Sequence, residues 1–326
     1  MISIIRSLVA VIMSLLSVVF SGVFGDFTAD TTPLKDDCRL YFASISDIHM
    51  TEETARRDML RFGLEDFEKS TYPLDALVLA GDLTDHGEEP EWEMLKEAFE
   101  GYNPAKNIVM AQGNHDTWTE DDKYDLARTL FIKYNKEITG REIEHEYYST
   151  KINGYTFIVM ASESDRVAAY ISDAQLEWLS AEMEKASQDG LPIFVISHWP
   201  VNESHGLPET WGDEEPEPDD GGFGDQSAQV EAILKAYENV FLISGHIHSG
   251  FNHVGYEDTY GYMSVESEGS FHSVNLPSYM YMTIRGRIAN GTGFNFEVYD
   301  DEVIIRGRSY SAGVWYSDYN WTIDLV

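Results

Sequence analysis

Short apolar runs set the rhythm of this chain. Leu40–Ser46, Ala76–Ala80, Ile108–Ala111, Phe157–Met160, Ile193–Ile196 and Val240–Ile243 are continuous and rich in Val and Ile. Runs of this kind read as strands covered on both faces, because a strand with one wet face alternates instead. Between them the period changes to that of a helix. Trp92, Leu95 and Phe99 share one face behind Pro90 in the first turn. Leu176, Leu179 and Met183 share another, after Ser172 and Gln175 in capping-box spacing. Val230, Ile233, Leu234 and Tyr237 repeat the pattern. Two segments depart from it. Asn153-Gly154 between two strand-like runs predicts a hairpin. At the C-terminal end Phe294, Phe296 and Val298 alternate, a turn follows at Asp300-Asp301, and Val303 to Ile305 resume. The expectation is an α/β protein, a layered β-α core finished by antiparallel strands and without internal repeats.

Each of five strand-like runs ends in side chains that a turn does not need. The first opens into SISDIHM, giving Asp47 and His49; the second into AGDLTDHG, giving Asp82; the third into QGNHD, giving Asn114, His115 and Asp116. Two later runs end at His198 and at GHIHSG, giving His246 and His248. In open α/β sheets ligands collect beyond the carboxyl ends of the strands, so these ends should converge on one crevice. Carboxylate, imidazole and amide oxygen, with no thiolate, form the mixed set that suits Mn, Fe or Zn. Asp47, His49, Asp82, Asn114, His198, His246 and His248 are too many for one tetrahedral ion and suit two divalent or trivalent cations sharing a carboxylate, the apparatus for displacement at phosphorus.

The order Asp-Xaa-His, Gly-Asp, Gly-Asn-His-Asp, His, Gly-His-Xaa-His resembles the calcineurin-like metallophosphoesterase family, with motifs covering Leu40 to about Phe251. The resemblance implies a four-layer α-β-β-α sandwich around a two-metal centre. It assigns Asp47, His49 and His248 to one metal, Asn114, His198 and His246 to the other, and Asp82 to the bridge. It makes His115 the acid that protonates the leaving oxygen, steadied by Asp116, and a hydroxide between the cations the attacking group. Purple acid phosphatases are similar but place a tyrosine three residues after the bridging aspartate, where this chain has Asp85. The Gly81–Asp85 run looks more like the branch of bacterial cyclic-nucleotide and glycerophosphodiester phosphodiesterases. The function expected is therefore hydrolysis of a small-molecule phosphodiester; a broad phosphomonoesterase or nucleotidase is the alternative, and a non-catalytic surface binding protein of the same fold a third reading.

Composition narrows the partners. The 326 residues carry 57 Asp and Glu against 22 Lys and Arg, a formal charge of -35, which repels a nucleic-acid duplex and leaves a small phosphorylated substrate possible where cations reverse the field locally. Residues 1–25 hold one base, Arg6, then an apolar run from Leu8 to Phe20 and small residues, the layout of a signal peptide or an N-terminal membrane anchor. The expected domain, 40–326, follows a linker at 26–39 and faces outward, secreted or extracytoplasmic, touching a membrane only if the leader is retained. The oligomeric state is left open. Cys38 has no second cysteine to pair with and reads as a bystander. The stretch 201–224 includes PETWGDEEPEPDDGG, a solvated insertion or, carrying Trp211 between two candidate ligand strands, a lid or calcium-binding loop. His86, Trp199, Asn202, His205, Phe251 and His253 lie just beyond the candidate ligands and could face substrate or simply pack the loops.

Overall fold

Along the first strand the side chains part into two cores. In β1 (Leu40–Ile45), Leu40 and Phe42 enter one apolar cluster, while Tyr41, Ala43 and Ile45 enter another. The same division holds in β2 (Ala76–Ala80), β3 (Ile108–Ala111), β5 (Tyr155–Val159), β6 (Ile193–Ile196) and β7 (Val240–Ser244). A strand buried on both faces has no reason to alternate polar and apolar, which is why these runs read as continuous. These observations come from a computed structural model, which describes residues 34–118, 124–163, 168–211, 215, 217–251, 262–280 and 291–326. The leader at 1–25 lies outside the described residues, and no described helix is long and apolar enough to cross a membrane.

Two six-stranded sheets face each other. The first runs β12-β11-β10-β1-β2-β3, with β1, β2 and β3 parallel and β10 (Thr292–Val298), β11 (Glu302–Ser309) and β12 (Val314–Asp324) added antiparallel. The second runs β4-β5-β6-β7-β9-β8, parallel from β5 to β9 (Phe271–Asn275), with β4 (Tyr148–Ile152) and β8 (Val265–Glu268) as antiparallel edges. Between the sheets, aromatic rings of one meet small residues and rings of the other. Phe42 stacks on Phe296 at 4.5 Å and meets Phe157 and Phe194 edge-on at 5.3 and 5.0 Å, beside Ala76, Ala80 and Ala111.

Helices cover the outer faces. Leu60, Leu64 and Phe67 of α1 (Thr54–Glu68), Trp92 and Leu95 of α2 (Glu89–Phe99) and Phe131 and Tyr134 of α3 (Tyr124–Thr139) pack on Leu77, Leu79 and Met110. Leu179 and Met183 of α4 (Asp173–Ser187) and Val230 and Leu234 of α5 (Ser227–Leu234) pack on Ile158, Val195 and Leu242. This is the four-layer α-β-β-α sandwich, with antiparallel C-terminal strands, that the sequence predicted.

The details differ instructively. The hairpin turns at Asn153 and Gly154, both left-handed (φ 51° and 92°), as a two-residue connection of the primed type requires. Ser172 caps α4 by accepting from the Gln175 N–H at 3.2 Å, but the Gln175 side chain does not reach back to complete the box; it bonds Ala161 and Glu163. Tyr237 lies beyond the end of α5. Helices α1 and α3 and strands β8 and β9 lie outside the elements that the hydrophobic pattern predicts. Register then places the functional ends: Ile45 pairs with Leu79, Ala80 with Ala111, and Ile196 with Ile243, so the residues that follow emerge along one rim of both sheets.

Candidate metal centre

The rim is built from turns that ordinary residues avoid. Asp47, His49, Asp82, His246 and His248 have φ values of 57°, 46°, 49°, 73° and 55°. A non-glycine residue held there costs on the order of 1 kcal/mol or more and persists only where its surroundings over-determine it. Here they do. The Asp47 N–H donates to the Gly81 carbonyl at 3.1 Å and the His49 N–H to that of Asp82 at 2.9 Å, knitting the β1 and β2 turns together. The His246 N–H approaches Asp47 Oδ1 at 3.3 Å, tying the second sheet to the first. Gly245 permits that approach, since a Cβ there would lie 1.9 Å from Ser46 Oγ and 2.8 Å from Asp47 Oδ2.

Side chains from both sheets then meet around Asp82. Its Oδ2 has the Nε2 atoms of His198, His49 and His248 at 3.2, 3.5 and 3.8 Å. His248 Nε2 lies 3.2 Å from Asp47 Oδ1 and 3.0 Å from His49 Nε2. Ligand atoms of Asp47, His49, Asp82 and His248 all fall within 4.8 Å of one another, enough to hold one cation. On the other flank the His198 and His246 rings are 5.0 Å apart. Asp47 Oδ2, Asp82 Oδ2, Asn114 Oδ1, His198 Nε2 and His246 Nε2 are buried and have no hydrogen-bond partner of good geometry; Asp82 and His198 meet as an ion contact at 3.2 Å. Buried polar atoms are nearly always paired. Five unpaired ones in a single cluster, all of metal-ligating type, fit a group that supplies positive charge. His115 and His248 side chains are 19% and 22% exposed while Asp47, His49, Asp82 and His198 are fully buried, so the centre opens to solvent on the side of His115 and His248.

The model of the calcineurin-like phosphoesterase family matches residues 40–250, nearly two-thirds of the chain. The chain belongs to that family. A "3',5'-cyclic-nucleotide phosphodiesterase" of Nostoc sp. is 25% identical over 227 residues, covering 67% of this chain and 75% of the relative. A "Probable cyclic nucleotide phosphodiesterase" of Rhodococcus erythropolis is 26% identical over 170 residues, 49% of this chain; the match spans 52% of that relative, about half its length. Among solved structures, a dimetal phosphatase from Danio rerio superposes with a TM-score of 0.60 at 14% identity, over 89% of this chain and 100% of that one. A purple acid phosphatase from Lupinus luteus superposes with 0.56 at 12% identity, over 87% and 53%. Both carry the same fold. The enzyme class expected from the strand-end motifs, metal-dependent phosphoric ester hydrolase, is the class of this family.

Around the donors of this calcineurin-like site, a second set of contacts fixes ring orientation. His49 Nδ1 bonds Asp85 Oδ1 at 3.0 Å, and His198 Nδ1 the Ala80 carbonyl at 2.9 Å, leaving both Nε2 atoms for the centre. His115 Nδ1 lies 2.7 Å from the Asp85 carbonyl. A carbonyl only accepts, so Nδ1 carries a hydrogen and Nε2 is left to hold or release a proton. The expectation for Asp116 needs correction. No hydrogen bond or ion pair joins it to the His115 ring; its two oxygens accept from Leu83 N, Thr84 N, Thr84 Oγ1 and Gly113 N at 2.7–3.2 Å. Asp116 staples the β2 and β3 turns together. Asp85, which the sequence marks by the missing tyrosine and by closing the Gly81–Asp85 run, takes the steadying contacts: its side chain orients His49 and its backbone carbonyl orients His115. Its signal was its spacing, three residues after Asp82.

The charges explain what the centre demands. Burial alone would lower His198 and His248; Asp82 and Asp47 reverse this, raising His198 to about 8 and His248 to about 10. Burial alone would raise Asp47 and Asp82, and the histidines hold both below the usual carboxylate range. Burial keeps His49 and His246 low. Without cations, protons occupy the places where positive charge is required, and loading must displace them. Burial and then the charge of Asp82 push Asp116 up to about 7, against its four donors.

The possible substrate-facing residues divide sharply. His205 is buried, bonding the Met263 carbonyl at 2.6 Å and Ser273 Oγ at 2.8 Å. Asn202 bonds both ways with Gly224. Phe251 stacks on Tyr319 at 4.6 Å inside the inter-sheet core. Trp199 is buried against His198 and His246. These four pack. His86 is exposed, 6.5 Å from Trp118, which in turn meets the His115 ring at 4.9 Å. His253 lies outside the described residues, as do parts of 201–224.

Proposed function

We propose that this protein hydrolyses phosphodiesters of small molecules at a two-metal centre, with Asp47, His49 and His248 holding one cation, Asn114, His198 and His246 the other, and Asp82 serving both. The observation that carries the reading is Asp82 Oδ2, buried and without a hydrogen bond, with three imidazole Nε2 atoms at 3.2–3.8 Å around it. When bound, such cations polarise the phosphoryl oxygens and make water available as a nucleophile near neutral pH. The chain's own residues do the rest. Asp85 fixes the His49 ring and, through its carbonyl, commits His115 Nδ1, so that His115 Nε2 is the atom from which a proton passes to the departing alkoxide. One P–O bond to the alcohol breaks and one to water forms, giving a monoester and an alcohol, which in a cyclic diester remain on one molecule. Cyclic nucleotides are the leading substrate class, supported by the names of the relatives from Nostoc and Rhodococcus, and the net charge of -35 argues against a duplex.

The test is turnover of a chromogenic diester and the matching monoester, before and after complete chelation, with bound ions counted. Diester turnover that disappears with the metal and returns with Mn, Fe or Zn is expected. Activity that survives full metal removal would sink the reading, and a strong monoester preference would sink the diester part of it. Export rests on the sequence of residues 1–25; the N-terminus of protein recovered from the producing cell tests whether that leader is removed.

A further inference from the structure

Among the imidazoles proposed above as ligands, His246 is held differently. His49 and His198 each have the far ring nitrogen fixed by a hydrogen bond, to Asp85 Oδ1 and to the Ala80 carbonyl. No hydrogen bond from the described residues reaches the His246 ring, and its Nε2 is buried and unbonded. A ring with two rotatable bonds and no hydrogen bond keeps its orientation only through what it packs against. What it packs against most closely is Trp211, whose ring lies nearly parallel to it at 4.5 Å and 24°. Trp199 and His198 close the other approaches at 5.9 and 5.0 Å, both at steeper angles.

Trp211 is itself wedged in place by its own loop. The turn from Leu207 is closed by Trp211 N–H to the Pro208 carbonyl at 2.9 Å and Thr210 N–H to that of Gly206 at 3.0 Å. Gly221, left-handed at φ 77°, presses its backbone onto the indole: a Cβ there would lie 3.0 Å from Trp211 Cε3 and 2.8 Å from Leu207 Cδ2. Leu207 and Trp211 also pack with Ile247 and Tyr262 in a small apolar cluster. Ile247 is the residue between His246 and His248. The acidic segment therefore grips the His-Ile-His turn twice, by the side chain between the two histidines and by the ring of one of them.

We propose that Trp211 is a positioning residue for the second cation: stacking on His246, it does for that ligand what Asp85 and Ala80 do by hydrogen bonding for His49 and His198. This rests on the two-metal reading above. Packing is less directional than a hydrogen bond, and the carrier is a loop rather than a strand. The cation bound through His246 is accordingly the weaker of the two, and its affinity follows the seating of the turn that carries Leu207 and Trp211. The segment read as a solvated insertion or a lid thus acts on the metal through its one tryptophan.

The test is metal stoichiometry. Full-length protein, stripped and titrated with Mn²⁺ in equilibrium dialysis, should take two ions, the second more weakly. In Trp211→Ala the second ion should bind roughly 10- to 100-fold more weakly, the range seen when a ligand loses its supporting contact, with the first unchanged. Trp211→Phe keeps a stacking face and should restore most of the loss. Gly221→Ala keeps the indole but pushes it off its seat, and should weaken the second ion selectively by a second route should Trp211→Ala fail to fold. Two ions in the parent with unchanged second-ion affinity in both Trp211→Ala and Gly221→Ala, or parallel weakening of both ions, would overturn the role of Trp211. A parent that never takes a second ion sinks the two-metal reading first and this proposal with it.

Discussion

Two regions of this molecule bury charged and polar side chains, and they handle them in opposite ways. On the outer face of β10 and β11, next to α1, Arg306 bonds Glu297 at 2.6 Å, and Arg308 grips Asp66 with two bonds at 2.8 and 2.9 Å. Asn295 is bracketed by the Tyr41 and Tyr310 hydroxyls at 2.8 and 2.9 Å. These groups line a cavity of about 450 Å³. At the strand ends, by contrast, five buried ligand-type atoms have no hydrogen bond, and five non-glycine residues sit in left-handed turns. A roomy cavity whose buried charges are paired is finished structure. Strain combined with unpaired buried donors is unfinished structure, and what would finish it is positive charge. Chemistry here is located where unpaired ligand-type atoms cluster on strained turns, and the volume of a cavity is a poor guide to it.

The largest test of that contrast is Asp82→Asn. If one carboxylate serves both cations, its loss should abolish measurable turnover and reduce bound metal together. Metal counting beside the diester assay decides it; full metal content with full activity would mean that Asp82 is merely buried. His115→Ala comes next. A positioned acid contributes roughly 10²–10⁴-fold, so turnover should fall by that much with metal content intact, and the loss should shrink for a leaving group acidic enough to depart unprotonated. Equal losses for good and poor leaving groups would remove His115 from the acid role.

A smaller effect separates proton from metal. His198 and His248 stand at about 8 and about 10 in the folded, metal-free chain, above the ordinary imidazole value of about 6.5. A group raised on folding contributes stability that is complete below its unfolded value and is lost as pH rises through its folded one. The chelated protein should therefore lose stability between about pH 7 and 10, on the order of a few kcal/mol. Asp47, Asp82, His49 and His246 are all held below their ordinary values and do not change in that window. Metal loading should release protons and tighten over the same range. Urea unfolding of chelated and loaded protein across this range checks the sign; chelated protein that gains stability with pH would contradict the electrostatic account.

How much of this was legible in the sequence follows from the same physics. Strands β2, β3 and β6 fall where the apolar runs placed them, since a strand buried on both faces announces itself in composition. Helix α1 escaped because Arg56, Arg57, Asp58, Arg61 and Glu65 dilute its apolar face, and because Gly63 sits in its middle. That glycine is explained only in three dimensions: a Cβ there would lie 2.2 Å from the Tyr279 hydroxyl. Strands β8 and β9 carry Ser, Glu and His, which mimic a loop. The ligand-type residues were legible because each follows a strand directly. Their partners were less so. Asp116 sits beside His115 in sequence but turns away to four N–H and O–H donors, whereas Asp85, some thirty residues earlier, reaches both His49 and His115. Sequence adjacency does not predict which way a side chain leaves a tight 3-10 turn such as His115–Thr117.

The smallest effects turn on sign and test the two regions against each other. Arg308→Met removes one half of a largely buried, doubly bonded pair and leaves Asp66 facing the cavity without its cation. Stability should fall by about 1–3 kcal/mol, with turnover and metal content unchanged. His246→Leu removes a buried ring whose Nε2 has no hydrogen bond and puts an aliphatic side chain against Trp211 and Trp199. In the metal-free protein that should raise stability, by on the order of 1 kcal/mol, because an unpaired polar atom is exchanged for apolar packing. The gain is trimmed by the left-handed backbone at this position, which histidine tolerates better than leucine. The same variant should lose the second ion. Denaturant titration of both variants without metal, and of both again with it, gives four numbers. Arg308→Met should destabilise in either condition by the same amount, whereas His246→Leu should cross from stabilising to destabilising as metal is added. A His246→Leu variant less stable than its parent even without metal would mean that the ring is paired for folding after all, and that the five unbonded atoms are not evidence of a place kept for a cation.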